Sequence, residues 1–225
     1  MPHAVDHTAI LARFAGARGG TGNIFKDINP KHLAHIIVDM QNGFMEEGAP
    51  VEVPVARSIV GNINSISGAI RKSGGKNIFL RYTTPPAQGP DWSNFMVRMG
   101  GNALSHRQAF TPGAHYWQLA DDLDVDPADM IVDKHRFSGF TPGTCSLNEI
   151  LQANQIDTVL ISGTLTNCCC ESTARDAMQH NYRVLIAADA NAALSDEEHA
   201  ATLHTLSMIF ADLYSTDELV SLLAE

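Results

Sequence analysis

The chain is short of cations, long apolar runs and a cysteine framework, and each shortage removes a class of function. Lys and Arg number 15 against 25 Asp and Glu, a formal charge of −10. Nucleic acid and anionic membrane surfaces are therefore not its expected partners, because both reward the opposite sign. Its hydrophobic runs are far shorter than the roughly 20 apolar residues a bilayer requires. The stretch MPHAVDHTAILARFAGARGGTGN has no extended apolar segment ahead of a small-residue cleavage site and does not read as a secretory signal. Of the four cysteines three are adjacent, and neighbouring thiols cannot staple distant segments. That points to a reducing, cytoplasmic setting. No internal repeat, charged tail or linker divides the chain.

What is there fits one α/β domain. A length of 225 residues, 44% of them hydrophobic, allows a sizeable core. Residues 1–30, rich in Gly, Ala and His, read as an arm packed on the surface or on a neighbouring subunit; AILARFA forms a helical turn or two there, and GARGGTGN breaks it. Residues 31–225 then alternate between strand and helix. The run 34–38 is a continuous apolar strand of the kind buried on both faces of a parallel sheet. Val55, Ile59, Ile63, Ile66 and Ile70 recur at helical spacing within 51–73, Ser73-Gly74-Gly75 ends the pattern, and NIFLRY (77–82) is a second strand. Further strands are expected at 130–132, 158–162, 183–188 and 209–214, and helices at 117–123, 146–153, 172–181, 196–208 and 216–223. Residues 83–116, with Pro and Gly pairs and several aromatics, form the longest irregular stretch, the length at which loops inside domains act as lids or binding loops. The expected architecture is a single three-layer α/β/α domain with a mostly parallel, roughly six-stranded, Rossmann-like sheet.

Three chemically able groups fall at ends of predicted strands: Asp39, Lys134 and the run Cys168-Cys169-Cys170. The C-terminal ends of parallel strands share one sheet edge, so residues far apart in sequence can meet there. A carboxylate can take a thiol proton, an ammonium can stabilise the thiolate, and backbone N–H groups can hold an oxyanion. The turn from strand into helix at the cysteines adds the positive end of a helix dipole, which also favours the thiolate. Each residue has a plainer reading: Asp39 begins a good turn sequence, Lys134 alone is a surface lysine, and free cysteines are often inert core residues. Successive residues entering a helix fan out, so at most one or two of the three thiols face one site. Zinc needs ligands at C-x(2–4)-C type spacing, which the run lacks, and the ten histidines are scattered. No metal and no cofactor are expected.

HIIVDMQNGF, KHRFSGF and GTLTNCCCESTARDA, in this order and spacing, resemble the three signature blocks of the isochorismatase-like cysteine hydrolases. That family includes nicotinamidases, N-carbamoylsarcosine amidohydrolase, ureidoacrylate amidohydrolase and isochorismatases. The resemblance spans roughly residues 33–215. It implies Cys169 as nucleophile, in a Gly-x-x-Thr-Asn-x-Cys pattern beginning at Gly163, with Asp39 as proton acceptor and Lys134 as third member of the triad. It also implies an oxyanion hole from the backbone N–H groups of Leu165 and Cys169, and a cis peptide between Thr164 and Leu165. Cys168 and Cys170 become small packing residues.

The implied reaction is acyl transfer through a thioester, cleaving a C–N bond of a small amide or carbamoyl compound. Family nicotinamidases hold a metal through Asp-x-His and a further His after the second strand; the corresponding RYTTPPAQGPDWSNF has no histidine, so neither a metal nor nicotinamidase activity is expected. Vinyl ether hydrolysis of the isochorismatase type is the alternative within the family, and a non-catalytic thiol redox or binding protein the alternative outside it. Phe44, Trp92, Phe95 and Phe137 are candidates to line a pocket for a compact, partly apolar substrate, Phe137 being equally suited to core packing. Relatives' habits imply a homodimer or homotetramer.

Overall fold

A computed structural model describes residues 2–16 and 20–224. Its centre is a sheet of six parallel strands: β1 (Leu33–Val38), β2 (Lys76–Tyr82), β3 (Met130–Lys134), β4 (Thr158–Thr164), β5 (Arg183–Ala192) and β6 (Asp212–Tyr214), in the order β3-β2-β1-β4-β5-β6. The chain winds outward from β1 to β3, then returns to β4 and winds the other way. The reversal lies between β1 and β4, and the crevice at the C-terminal ends of such a pair is where open α/β sheets bind ligands.

β1 is buried along its whole length. Ala34, Ile36 and Val38 enter one hydrophobic cluster, Leu33 and Ile37 the other, as the two-residue period of a strand covered on both faces requires. The first cluster is closed by α1 (His7–Ala15), α6 (Leu147–Ala153), α7 (Glu171–Gln179) and α8 (Asp196–Ile209); the second by α2 (Asn42–Met45), α3 (Ala56–Ser73) and α9 (Thr216–Leu222). Between β2 and β3 lie α4 (Ser93–Met99) and α5 (Ala103–Ala109). Among the described residues no helix is long and apolar enough to cross a membrane.

The helical stripe predicted over 51–73 is real, with Ile59, Ile63, Ile66 and Ile70 fully buried, but the helix starts only at Ala56. Pro54 disfavours helical backbone at the residue before it, and Gly74, at φ +87°, ends α3 in a left-handed cap. The helix expected at 117–123 is absent. There Leu119 bridges Gln41, and the Ala120 N–H donates to the Met40 carbonyl, so tertiary pairing with the end of β1 holds the chain extended. The strand expected over 209–214 is only Asp212–Tyr214, because α8, capped by Ser195 and carrying three acidic residues in its first turn, runs on to Ile209. The region 83–116 holds two short helices hinged at Gly100 (φ +55°).

The N-terminal helix is capped by Asp6, and Ile10 and Leu11 join the core. Part of the break expected after it, residues 17–19, lies outside the described residues. Ahead of the helix, His3 accepts a hydrogen bond at Nε2 from the Ala193 N–H (2.9 Å), bonds Asp196 through Nδ1 (2.6 Å) and stacks on His199 at 4.3 Å.

Candidate active site

The chain leaves β1 through Asp39 at φ +52°, with its N–H bonded to the Leu80 carbonyl of β2. Left-handed backbone is tolerated by Asp better than by most residues, and here it accompanies a carboxylate that is fully buried at the sheet edge. Gln41 locks the geometry: its Nε2 donates to the Tyr82 and Trp117 carbonyls, and its Oε1 accepts from the Tyr82 N–H at 2.7 Å.

Lys134 is the last residue of β3, in register with Tyr82. Its side chain crosses β2 and puts Nζ 2.7 Å from Asp39 Oδ2, with a further hydrogen bond of 3.1 Å to the Arg136 carbonyl. Both charged side chains are sealed from solvent. Burial raises the Asp39 carboxyl above its ordinary pKa, with the Lys134 charge opposing. Burial is the largest single influence on Lys134 and works against its charge, but Asp39 and Cys169 together outweigh it and hold the ammonium above the ordinary lysine range. A buried charge survives this way only with a partner.

The cysteine run follows β4. At Gly163 the backbone has φ +112°, and a Cβ there would stand 2.2 Å from the Val38 carbonyl oxygen, so only glycine lets β4 approach β1 this closely. The Thr164–Leu165 peptide is cis. Thr166–Cys170 then makes a wide turn, in which Cys170 N–H reaches back five residues to the Leu165 carbonyl, before α7 begins. Turns of this π type occur disproportionately at functional sites. Thr166 is buried and hydrogen-bonds His199 at 2.9 Å.

The turn separates the three thiols. Cys170 is buried in the core cluster, Cys168 is partly exposed, and Cys169, 6% exposed, adjoins both Asp39 and Lys134. Asp39 Oδ1 takes no hydrogen bond from a nitrogen or oxygen donor. A hydrogen bond shared with the Cys168 thiol, burial and the Asp39 charge together push Cys169 well above the ordinary thiol pKa; Cys168 is lowered, chiefly by that same bond. Lys134 opposes this shift, but the bond to Cys168, burial and the Asp39 charge outweigh it and hold the proton on Cys169.

The aromatic candidates divide. Trp92 stacks on Phe95 (4.2 Å) and meets Phe137 edge-on (5.0 Å), and Arg136 lies 4.7 Å over the Trp92 ring. These rings stand over the sheet edge, and a cavity of about 390 Å³ opens at their rim, lined by Trp92, Arg136, Phe137 and Ser138 with Ser172 and Arg175 of α7. Phe44 stands apart, 8% exposed and packed on Phe110 at 5.0 Å in the cluster under α3; its surface is already committed to the core. Sequence reasoning passed over Gln41, Tyr82 and His106. Tyr82 carried the same strand-end signal as Lys134, whereas nothing in the sequence marks His106 as facing inward. Among the described residues no group of three or more His, Cys, Asp or Glu side chains is placed to hold a metal ion.

Comparison with known proteins gives a consistent picture. The isochorismatase domain model matches residues 33–218. A ureidoacrylate amidohydrolase, RutB, of Pseudomonas savastanoi pv. phaseolicola is 30% identical over 206 residues, covering 85% of this chain and 83% of that protein. Nicotinamidase 3 of Arabidopsis thaliana is 30% identical over 200 residues, covering 86% and 90%. The crystal structure of a cysteine hydrolase from Pseudomonas syringae pv. phaseolicola 1448A superposes with a TM-score of 0.80 at 28% identity, over 88% of this chain and 94% of that one.

Proposed function

Since the chain belongs to the isochorismatase family, we propose that it is a cysteine hydrolase that cleaves a C–N bond of a small amide or carbamoyl compound, with Asp39, Lys134 and Cys169 as its catalytic triad. The observation that carries the reading is the sealed Lys134–Asp39 ion pair with the Cys169 thiol beside it. Relatives named as an amidohydrolase and a nicotinamidase support the choice of C–N chemistry.

In this mechanism the resting thiol gives its proton to the Asp39 carboxylate as sulfur attacks the substrate carbonyl. A raised carboxyl pKa makes Asp39 a better proton acceptor, and Lys134 stays charged to offset the thiolate that forms. The backbone N–H groups of Leu165 and Cys169 receive the oxyanion. Asp39 then protonates the departing amine or ammonia, and water, activated by the same carboxylate, hydrolyses the thioester. Trp92, Phe95 and Phe137 wall the substrate. A homodimer or homotetramer belongs to the same proposal, supported by Val97 and Leu104, which are 76% and 66% exposed on α4 and α5.

The test is an ammonia-release screen over small amides, carbamoyl compounds and ureido acids, with an isochorismate-like vinyl ether run in parallel. Turnover of at least one C–N substrate, with a covalent acyl adduct on Cys169 by intact mass, is expected. Turnover of the vinyl ether alone would sink the proposal.

A further inference from the structure

The triad is shut in. Asp39 and Lys134 are fully buried and Cys169 is 6% exposed, whereas a substrate carbonyl has to come within about 3–3.5 Å of the attacking sulfur. Something over the sheet edge must therefore move during turnover. The ring wall lies there: Phe137 packs in the same cluster as Cys168 and Cys169, and Trp92 and Phe95 close on it at 5.0 and 5.5 Å.

The two halves of that wall are held differently. Phe137 follows β3 directly. Trp92 and Phe95 ride on a flap, residues 87–101, that leaves the domain at the exposed residues 86–88 and returns at Gly100. Its main element, α4, has no buried residue and no side-chain cap at its head. Gly100, at φ +55° and ψ −129°, occupies backbone that side chains avoid, yet a Cβ there would meet nothing within 4 Å. The glycine thus serves the bend and not close packing. Segments with so few buried contacts are the first to open.

The hydrogen bonds that hold the head of the flap come from one side chain. Arg136 donates to the Pro90 and Asp91 carbonyls at 2.8 and 2.9 Å and to the His135 carbonyl at 2.7 Å, with its guanidinium 4.7 Å over the Trp92 ring. All three acceptors are neutral oxygens. On a half-buried guanidinium such bonds hold a segment, yet water can take their place when it leaves. The other end of Arg136 is fixed, because its own carbonyl accepts from Lys134 Nζ at 3.1 Å. The post of this clasp is therefore built into the triad.

We propose that Arg136 is the clasp of a gate: it holds Pro90–Trp92 closed over Cys169, and release of its two carbonyl bonds lets the flap swing about Gly100 to admit a substrate. Arg136 is then a positioning residue, acting on the reaction through Trp92 and the ring wall. The proposal rests on the reading above in taking Cys169 as the nucleophile, but its first test needs no turnover.

Iodoacetamide, small and uncharged, reports how often the gate stands open. Its rate of reaction with Cys169 and with Cys170, each located by peptide mass, is measured for the wild type, Arg136→Met and Arg136→Lys, with Tm alongside. kcat and KM are taken on the best small amide. Arg136→Met should alkylate Cys169 about tenfold faster and raise KM about three- to tenfold, with kcat within about twofold of the wild type. Arg136→Lys keeps the charge without the fork and should fall between the two. Losing a nearby cation would by itself slow alkylation, so a faster rate reports opening. Should Arg136→Met fail to fold, Arg136→Lys decides by a rise of about threefold. An unchanged rate at Cys169 overturns the gate, as does an equal rise at the core residue Cys170, which would mean general loosening. A KM rise confined to amides bearing a carboxylate also overturns it, since Arg136 would then be a ligand of the substrate. Absence of turnover from every amide by the wild type would fell the amidohydrolase reading and leave the gate to the alkylation rates.

Discussion

Lys134 reaches across β2 to place Nζ 2.7 Å from Asp39 Oδ2, with both side chains fully buried. The two residues are 95 positions apart in the chain, and only the parallel packing of β1, β2 and β3 brings them together.

Breaking this pair from one side leaves an uncompensated charge in the interior. Lys134→Met is expected to destabilise the protein by about 3–5 kcal/mol, and Asp39→Leu by a similar amount. The double variant should recover much of the loss. Urea denaturation of the three proteins measures it; single variants costing less than about 1 kcal/mol would mean that the pair is solvated after all.

Cys169→Ala should lower kcat on the order of 10⁴-fold or more, while Cys168→Ala and Cys170→Ala retain turnover. Cys170→Ala should cost about 1 kcal/mol of stability through lost packing. Removing the Cys168 thiol takes away the leading cause of the raised Cys169 pKa, so alkylation of Cys169 by iodoacetamide should set in at lower pH in Cys168→Ala. Equal loss of turnover in all three single variants would contradict the assignment of Cys169.

The raised Asp39 pKa fixes the sign of the acid limb. The base form exists only above that pKa, so kcat/KM should fall as pH drops and should do so at a pH above the ordinary aspartate value of about 3.9. Lys134, shifted upward, should keep its charge throughout the assay range. A pH–rate profile flat down to pH 4 would exclude Asp39 as the proton acceptor.

Two buried imidazoles should make the fold acid-sensitive. Burial depresses His35 to about 3 and His199 to about 4. The unfolded chain binds protons near pH 6.5 where the folded one does not, so stability falls as pH drops below about 6.5, by up to about 1.4 kcal/mol per pH unit for each ring. The window runs down to about 4 for His199 and about 3 for His35. Thermal melts from pH 7 to 4 should show the decline, and His199→Gln should flatten it; a variant slope equal to the wild type's would assign the effect elsewhere.

Much of this arrangement was legible before any coordinates. The buried run at 34–38, the isoleucine stripe of α3 and the strand ends carrying Asp39, Lys134 and the cysteines all rest on local pattern and on the rule that parallel strands share an edge. What escaped depends on partners far away in sequence. The region 117–123 is held extended by Met40 and Gln41, and no local preference could announce that. The raised pKa of Cys169 follows from its bond to Cys168, from burial and from the Asp39 charge, a balance set by the folded surroundings of the turn. His106 turns inward because α5 packs its Ala109 face against the core, a choice made by tertiary contact alone.

The brace formed by His3 has a practical corollary. His3 pins Asp196 and stacks on His199, and His199 holds Thr166 at the head of the turn that presents Cys169. A protein trimmed to the segment 33–218 that the family shares would keep every proposed catalytic side chain and still lose the outermost link of that chain of contacts. His3 thus braces, through His199 and Thr166, the turn that carries the proposed nucleophile, and does so from the opposite end of the sequence.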